Sequence, residues 1–151
     1  MKDSISEQRI KLLHPKARDT FKAFIEESEL VTGKTFRIVQ GLRTIDEQNQ
    51  LYAQGRTKAG NIVTNAKGGF SYHNYGLAID IVELIEGKAN WNFDYLSLHS
   101  IATKHKLKWG GTFKSIIDKP HYELSFGYTI KDLFTKYINK EYIQSTQYVI
   151  I

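Results

Sequence analysis

Two short segments of the chain combine histidine with aspartate at spacings that suit metal chemistry. In the first, residues 71–80, Asp80 follows His73 by seven residues and interrupts an otherwise apolar strand. A lone carboxylate buried in such a strand is costly, so we expect it to be paired or bound to a metal. Gly76 and Ala78 would share its strand face and leave space in front of it. Taken alone, this segment is equally compatible with an aspartate in a buried salt bridge or a hydrogen-bonded turn.

The second segment again places a carboxylate before a histidine, with Asp118 three residues ahead of His121. A non-helical turn through Pro120 would direct both side chains toward one centre. Catalytic zinc sites commonly use three histidine or carboxylate ligands and leave a fourth position open. His73, Asp80 and His121 would supply such a set. Asp118 would then be a free carboxylate beside the metal, where it can accept a proton.

Two further charged residues are candidates for supporting roles. Glu123 lies two residues after His121 on the same strand face, so it either orients that histidine or faces solvent. Arg43 ends a strand and opens a helix, where it would stabilise a developing oxyanion, although spacing alone favours a surface salt bridge. The other histidines lack a carboxylate at a telling spacing, and we expect them at the surface or at helix ends. They are His14, His99 and His105.

The elements that must position these residues are helices and strands without regular alternation, which predicts an α+β fold. Hydrophobic periodicity predicts four main helices. They cover residues 16–29, 44–54, 94–105 and 130–138. Alternating or apolar runs predict the strands. They cover residues 34–40, 76–85, 89–91 and 121–124, with a turn or short strand at 109–111. Residues 55–70 predict a long loop, and such loops are often functional.

The composition excludes several classes of protein. The chain has 151 residues, which predicts a single domain over residues 1–151. It has no cysteine, so disulfides, thiolate nucleophiles and cysteine-based zinc fingers are absent. The net charge of +5 suits an anionic partner. However, no basic stripe with interleaved aromatic residues is visible, so we expect no binding to nucleic acid.

The chain also lacks the usual signals for membrane insertion or export. No apolar run approaches the roughly 20 residues that a membrane span needs. The N-terminal residues contain no apolar segment of the kind found in signal peptides. We therefore expect synthesis in the cytoplasm without a signal peptide and without a membrane span.

Together, these segments resemble the zinc peptidase family M15. It includes the vancomycin-resistance D-Ala-D-Ala dipeptidases and carboxypeptidases and the L-alanyl-D-glutamate endopeptidases of phage endolysins. The family signature Ser-x-His-x-x-Gly-x-Ala-x-Asp is matched by residues 71–80. Its second signature, a carboxylate closely followed by the last ligand histidine, is matched by residues 118–121. Its Gln-Gly-x-Arg turn is matched by residues 40–43, and order and spacing agree over about residues 6–127.

The resemblance implies a role for each residue of the centre. His73, Asp80 and His121 resemble the ligands of a Zn²⁺ ion. Asp118 resembles the general base, which also passes a proton to the leaving amine. Arg43 resembles the residue that binds the scissile carbonyl oxygen as it becomes an oxyanion.

Two further residues resemble substrate contacts of the family, namely Ser71 at the cleft and Gln48 in the helix after the arginine. The fold implied is a small antiparallel sheet with helices packed mainly on one face and zinc in an open groove. No separate cell-wall-binding domain is expected in residues 1–151.

One arrangement distinguishes the branches of the family. Trp109-Gly110-Gly111 followed by Asp-x-Pro-His at 118–121 resembles the L-alanyl-D-glutamate endopeptidase branch. The carboxypeptidases usually carry Glu-x-x-His with a tryptophan before the histidine. Phe113 and Tyr122 depart from the commoner residues of the branch, but both remain aromatic.

The implied activity is therefore zinc-dependent hydrolysis of the L-Ala–D-Glu bond in the peptidoglycan stem peptide, as in endolysins. The enzyme would be a monomer that reaches the cell wall or periplasm through a holin or another release route. One alternative is a D-Ala-D-Ala carboxypeptidase or dipeptidase on the same scaffold. The other is a non-catalytic zinc-containing wall-binding module, against which the joint presence of Asp118, Arg43 and Ser71 argues.

Overall fold

The computed structural model describes residues 1–151. Five α-helices are α1 Ser4–Lys11, α2 Arg18–Thr32, α3 Ile45–Ala53, α4 His99–Lys104 and α5 Ile130–Ile138. Five β-strands are β1 Phe36–Gln40, β2 Ala78–Ile85, β3 Lys88–Asn90, β4 Lys108–Trp109 and β5 His121–Glu123. No helix combines the length and the apolar character needed to cross a membrane.

The strands form one antiparallel sheet in the order β1-β2-β5-β4, and β3 pairs with the end of β2. β1 and β5 lie on opposite edges of β2, because Asp80 pairs with Gln40 on one side and with His121 on the other. An irregularity at Val39 brings Gln40 into this register. Gln40, Asp80 and His121 therefore form one row across three strands.

The two faces of the sheet differ in what covers them. On one face, Ile79, Ile81 and Tyr122 are fully buried in a core to which α1, α2 and α4 contribute. The ring centroids of Phe24 in α2 and Tyr122 in β5 lie 4.7 Å apart, so this helix packs directly over the strand. The opposite face carries the row through Asp80 and is bordered by α3 and α5. The expected α+β fold with an open antiparallel sheet is confirmed.

The start of β2 differs from the sequence prediction. The strand begins at Ala78, and Gly76 instead ends a 3₁₀ turn over Tyr72–Tyr75 with a left-handed φ of 66°. His73 therefore lies on this turn and not at the start of a strand. A Cβ at position 76 would lie 2.5 Å from the backbone nitrogen of His14, so only glycine allows this close approach.

His14 caps the start of a short 3₁₀ turn, in line with the expectation of a helix end, but it does not lie at the surface. Its side chain is fully buried, and Nε2 lies 3.0 Å from the carbonyl oxygen of Val149 near the end of the chain. Nδ1 accepts a hydrogen bond from the backbone of Lys16. Burial lowers the pKa of His14, so it is held as a neutral ring.

Candidate active site

Three atoms with metal-binding chemistry converge in the row across the sheet. His73 Nε2 lies 3.1 Å from His121 Nδ1, and both lie within 3.2 Å of Asp80 Oδ1. These three residues form the one group of candidate metal ligands in the chain. The 3₁₀ turn supplies one of them, and the paired strands β2 and β5 supply the other two.

The protonation of the two rings determines whether a metal fits. His73 Nδ1 donates to the carbonyl oxygen of Gly41 at 2.8 Å, because that oxygen can only accept. His121 Nε2 donates to Glu123 Oε2 at 3.0 Å for the same reason. In the neutral rings, the two nitrogens that face Asp80 therefore carry lone pairs. With both rings neutral, three lone-pair atoms face one another, an arrangement that a bound cation stabilises, and two imidazoles with one carboxylate suit Zn²⁺.

The charges around the centre also favour a cation. The pKa of His121 is raised to about 9, because its hydrogen bonds with Asp80 and Glu123 outweigh burial, which acts in the opposite direction. Burial likewise opposes ionisation of Asp80, but the interactions with His73 and His121 lower its pKa well below the usual range. The centre thus holds an ionised carboxylate and stabilises positive charge next to it.

The 3₁₀ turn that carries His73 is fixed to the segment that carries Arg43. The backbone nitrogen of Arg43 donates to the carbonyl oxygen of His73 at 3.0 Å, and Asn74 Nδ2 donates to the carbonyl oxygen of Arg43 at 3.0 Å. Ser71 caps the turn through its hydroxyl, which accepts from the backbone of His73 at 3.4 Å. The role of Asn74 was not predicted from the sequence, although its position three residues after a capping serine is a recognisable capping signal.

Glu123 lies where its predicted role requires it. It is buried, accepts from His121 and lies 3.4 Å from Lys108 Nζ through its other oxygen. Its partner across the strands is Ala78, whose small side chain leaves space for the carboxylate. The alternative of a solvent-facing glutamate is therefore not what the structure shows.

Asp118 reaches the same cleft from the turn before β5, but no hydrogen bond of the chain reaches its carboxylate. Burial raises its pKa, and the charge of Asp80 adds to this effect. A carboxylate without bonded partners and with a raised pKa suits a group that accepts and returns protons.

The turn that carries Asp118 is held in place by Trp109 and Gly110. In the sequence these residues served only to distinguish the branches of the family. Trp109 Nε1 donates to the carbonyl oxygen of Lys119 at 2.7 Å, and the backbone of Asp118 donates to Gly110 at 3.1 Å. A Cβ at Gly110 would lie 2.3 Å from the carbonyl oxygen of Asp118. The Trp-Gly pair therefore acts as a close-fitting support for the predicted base.

Arg43 lies on the other side of the centre. Its Nη2 is 3.5 Å from Asp80 Oδ2, and its Nη1 donates to Gln48 Oε1 at 2.9 Å. Nε is buried without a partner. Gln48 is fully buried, and its Nε2 donates to the carbonyl oxygen of Ala66 at 2.7 Å. The oxygen and the nitrogen of the Gln48 amide are thus both bound within the chain. This favours a role for Gln48 in positioning Arg43, instead of the predicted role as a substrate contact.

All of the site residues predicted from the sequence, except Gln48, surround one cleft of about 580 Å³. It is lined by the three predicted metal ligands and also by Asp118, Arg43, Ser71 and Glu123. Its outer walls come from the loop at residues 63–66, from Phe70 and from Phe113 to Ile116. A cleft of this size holds several residues of an extended peptide, with the cation-binding centre at its floor.

Comparisons with known proteins identify the family of the chain. A family model described as D-alanyl-D-alanine carboxypeptidase matches residues 64–124, the part with most of the site. The chain is 40% identical over 123 residues to the peptidoglycan L-alanyl-D-glutamate endopeptidase CwlK of Bacillus subtilis strain 168. This match covers 74% of this chain and 73% of CwlK.

Two solved structures share the fold. The crystal structure of the Serratia marcescens L-Ala D-Glu endopeptidase ChiX matches with a TM-score of 0.59 and 22% identity, over 82% of this chain and 88% of ChiX. A mutant of the vancomycin-resistance D,D-pentapeptidase VanY, solved with Zn(II), matches with a TM-score of 0.57 and 14% identity, over 82% of this chain and 78% of VanY. The sequence signatures, the cation-binding centre and the identity to CwlK together show that the chain belongs to the zinc-dependent peptidase family M15.

Proposed function

We propose that the chain is a zinc-dependent peptidoglycan endopeptidase that hydrolyses the L-Ala–D-Glu bond of the stem peptide. The observation that carries this proposal is the convergence of three lone-pair ligand atoms beside an unbonded, half-buried carboxylate in one cleft. The choice of bond is supported by the 40% identity to CwlK, whose name states this specificity.

His73, Asp80 and His121 would hold the Zn²⁺ ion. A zinc ion in such a site polarises a carbonyl group and makes a water molecule more acidic. Asp118 accepts a proton from the attacking water, because its carboxylate is free of other bonds and its pKa is raised. The same carboxyl group then returns the proton to the nitrogen of the leaving D-Glu.

Arg43 stabilises the negative charge that develops on the scissile carbonyl oxygen. Its guanidinium is held in place by Gln48 and Asp80, and its buried Nε has no partner within the chain. A donor fixed in advance in a site shielded from water stabilises such charge more strongly than a mobile surface arginine. Ser71, at the wall of the cleft, is proposed to contact the substrate.

The bond that is cleaved can be read directly from the products. Purified muropeptides are incubated with the enzyme and analysed by mass spectrometry. We expect release of the peptide that begins with D-Glu, and no release when a zinc chelator is present. Loss of a terminal D-Ala alone would identify a D-Ala-D-Ala carboxypeptidase, and the absence of any new product would identify a non-catalytic module. Either result contradicts the proposal.

The site of action follows from the substrate, since peptidoglycan lies in the cell wall. A holin or another release route remains the prediction for how the enzyme reaches it. The monomeric state likewise remains a prediction, and size-exclusion chromatography with light scattering tests it.

A further inference from the structure

The open face carries a second cavity that the proposed mechanism does not use. It is open to solvent, has a volume of about 460 Å³ beside α3, and shares Arg43 and Leu51 with the cleft. Its other walls are mainly polar and come from Gln40, Glu47, Gln50, Gln54, Lys58 and Ala59. Cavities of roughly 300–1,000 Å³ hold small ligands, and polar walls favour a ligand rich in hydrogen-bonding groups.

The glutamine side chains of this cavity are anchored at one end and open at the other. Gln40 and Gln54 each donate from Nε2 to a backbone carbonyl at 3.2 Å, which leaves their Oε1 atoms as acceptors. Gln50 accepts from Lys58 Nζ, which leaves its NH₂ group as a donor. The cavity therefore presents oriented acceptors and donors together, as a ligand with hydroxyl and amide groups requires.

The position of the cavity indicates which half of the substrate it faces. Gln40, Asp80 and His121 form one row across the sheet, and the cavity lies at the Gln40 end. The backbone of Asp118 donates to Gly110, which follows β4 on the far side of β5, so Asp118 lies toward the His121 end of the row. Because Asp118 gives its proton to the leaving amine, the amine half lies on its side. The acyl half of the scissile bond then extends past Arg43 toward the second cavity.

The chemistry of the acyl half matches this cavity. At an L-Ala–D-Glu bond the acyl residue is L-Ala, and its amino group is joined to the lactyl group of N-acetylmuramic acid. The sugar, with its hydroxyl and acetamido groups, therefore begins one residue from the scissile carbonyl. Resting on the proposed function, we propose that the cavity at Gln40, Gln50, Gln54 and Lys58 binds the N-acetylmuramyl group of the substrate.

The test compares two substrates that differ only in the sugar. One is N-acetylmuramyl-L-Ala-D-Glu extended by the rest of the stem peptide, and the other is the same peptide with an acetyl group on the L-Ala nitrogen, so that both carry a neutral amide there. Two added neutral hydrogen bonds predict a KM about tenfold lower for the muramyl peptide. The double variant Gln50→Ala/Lys58→Ala should bring the ratio of the two KM values close to one. Gln8→Ala, which removes an exposed glutamine from α1, is the matched control and should keep the wild-type ratio.

The outcomes separate this inference from the proposed function. Equal KM values for the two substrates in the wild type, or an unchanged ratio in the double variant, would overturn the sugar site while cleavage after L-Ala still supports the endopeptidase. Cleavage of neither substrate after L-Ala would overturn both proposals. Circular dichroism of the double variant, compared with the wild type, identifies any loss of fold as the cause.

Discussion

The metal-binding side and the reacting side of the cleft differ in how fully their polar atoms are bonded within the chain. On the metal side, each ring of His73 and His121 is fixed by a second hydrogen bond, to Gly41 and to Glu123 respectively. On the reacting side, the carboxylate of Asp118 has no partner, and Nε of Arg43 is buried without one. The metal side is therefore fully specified by the chain, whereas the reacting side keeps bonding capacity for the substrate.

This difference shows how one small fold can combine rigidity with reactivity. Ligand atoms must be held in one geometry, so their outer bonds are made to backbone or buried acids. In the proposed mechanism, Asp118 carries a proton and Arg43 binds an oxyanion, so both must exchange partners during the reaction, and only their backbone and outer atoms are fixed. Trp109 and Gly110 support the backbone of Asp118, and Gln48 holds one end of Arg43.

Removal of a ligand on the metal side should give the largest effect. His73→Ala removes one of three ligand atoms and leaves Asp80 and His121 unable to form the set. We expect loss of bound zinc, measured by elemental analysis, together with hydrolysis at background level. His105→Ala is the matched control, because His105 pairs with Glu27 outside the cleft. Full zinc retention in His73→Ala would remove this residue from the ligand set.

A change on the reacting side should separate turnover from metal binding. Asp118→Asn preserves the shape of the side chain but removes its capacity to accept a proton. We expect zinc content to stay at the wild-type level while kcat falls by roughly 10²–10⁴-fold, the usual contribution of a general base. Asp19→Asn, at an exposed position in α2, should change neither quantity. A kcat close to the wild-type value would exclude Asp118 as the base.

The outer bond of a ligand histidine should matter less than the ligand itself. Glu123→Gln replaces the charged acceptor of His121 Nε2 by a neutral amide. We expect zinc affinity, measured by competition with a chelator, to fall by about 10–100-fold. Glu83→Gln alters a buried glutamate of the same sheet that pairs with Lys34, and it should leave zinc affinity unchanged. An equal loss in both variants would mean that sheet stability, not His121, sets the effect.

The smallest expected effect concerns the support behind the metal side. The backbone of His14 donates to Gly76 at 3.0 Å, and burial lowers the pKa of its side chain from 6.5. The unfolded chain therefore binds a proton on this histidine more readily than the folded one. The contribution of the neutral His14 ring to the free energy of unfolding is thus complete above pH 6.5 and declines below it. The decline reaches at most about 1.4 kcal/mol per pH unit until the folded-state pKa is passed.

The contribution of His14 can be isolated by comparison with His14→Gln. The free energy of unfolding is measured for both proteins by urea denaturation between pH 5 and pH 8. As the pH falls, the wild type should lose stability relative to His14→Gln, because glutamine does not titrate. A difference that is constant over this range would contradict the assignment of a neutral buried His14.

The sequence predicted the parts of the site that depend on local pattern. The anomaly of Asp80 in an apolar strand and the helices over residues 44–54 and 130–138 are all visible in short windows. Local pattern could not show the irregularity at Val39, which depends on the pairing of β1 with β2 and places Gln40 beside Asp80.

Long-range contacts account for the positions that the sequence analysis missed or placed differently. His14 is buried by a segment 135 residues later, and no local window contains that contact. The amide of Gln48 forms hydrogen bonds with both Arg43 and Ala66, which are distant from each other in sequence. The prediction for Gly76 failed because a close approach to the backbone of His14 fixes a turn there.

In the proposed mechanism, peptidase activity depends on a single zinc ion held by His73, Asp80 and His121. The most direct test removes metal with a chelator, adds zinc back in fractions of one equivalent, and follows hydrolysis of the L-Ala–D-Glu bond. We expect activity to rise linearly and to reach its maximum at one zinc ion per chain. Full activity in the metal-free protein, or a maximum at two equivalents, would contradict it.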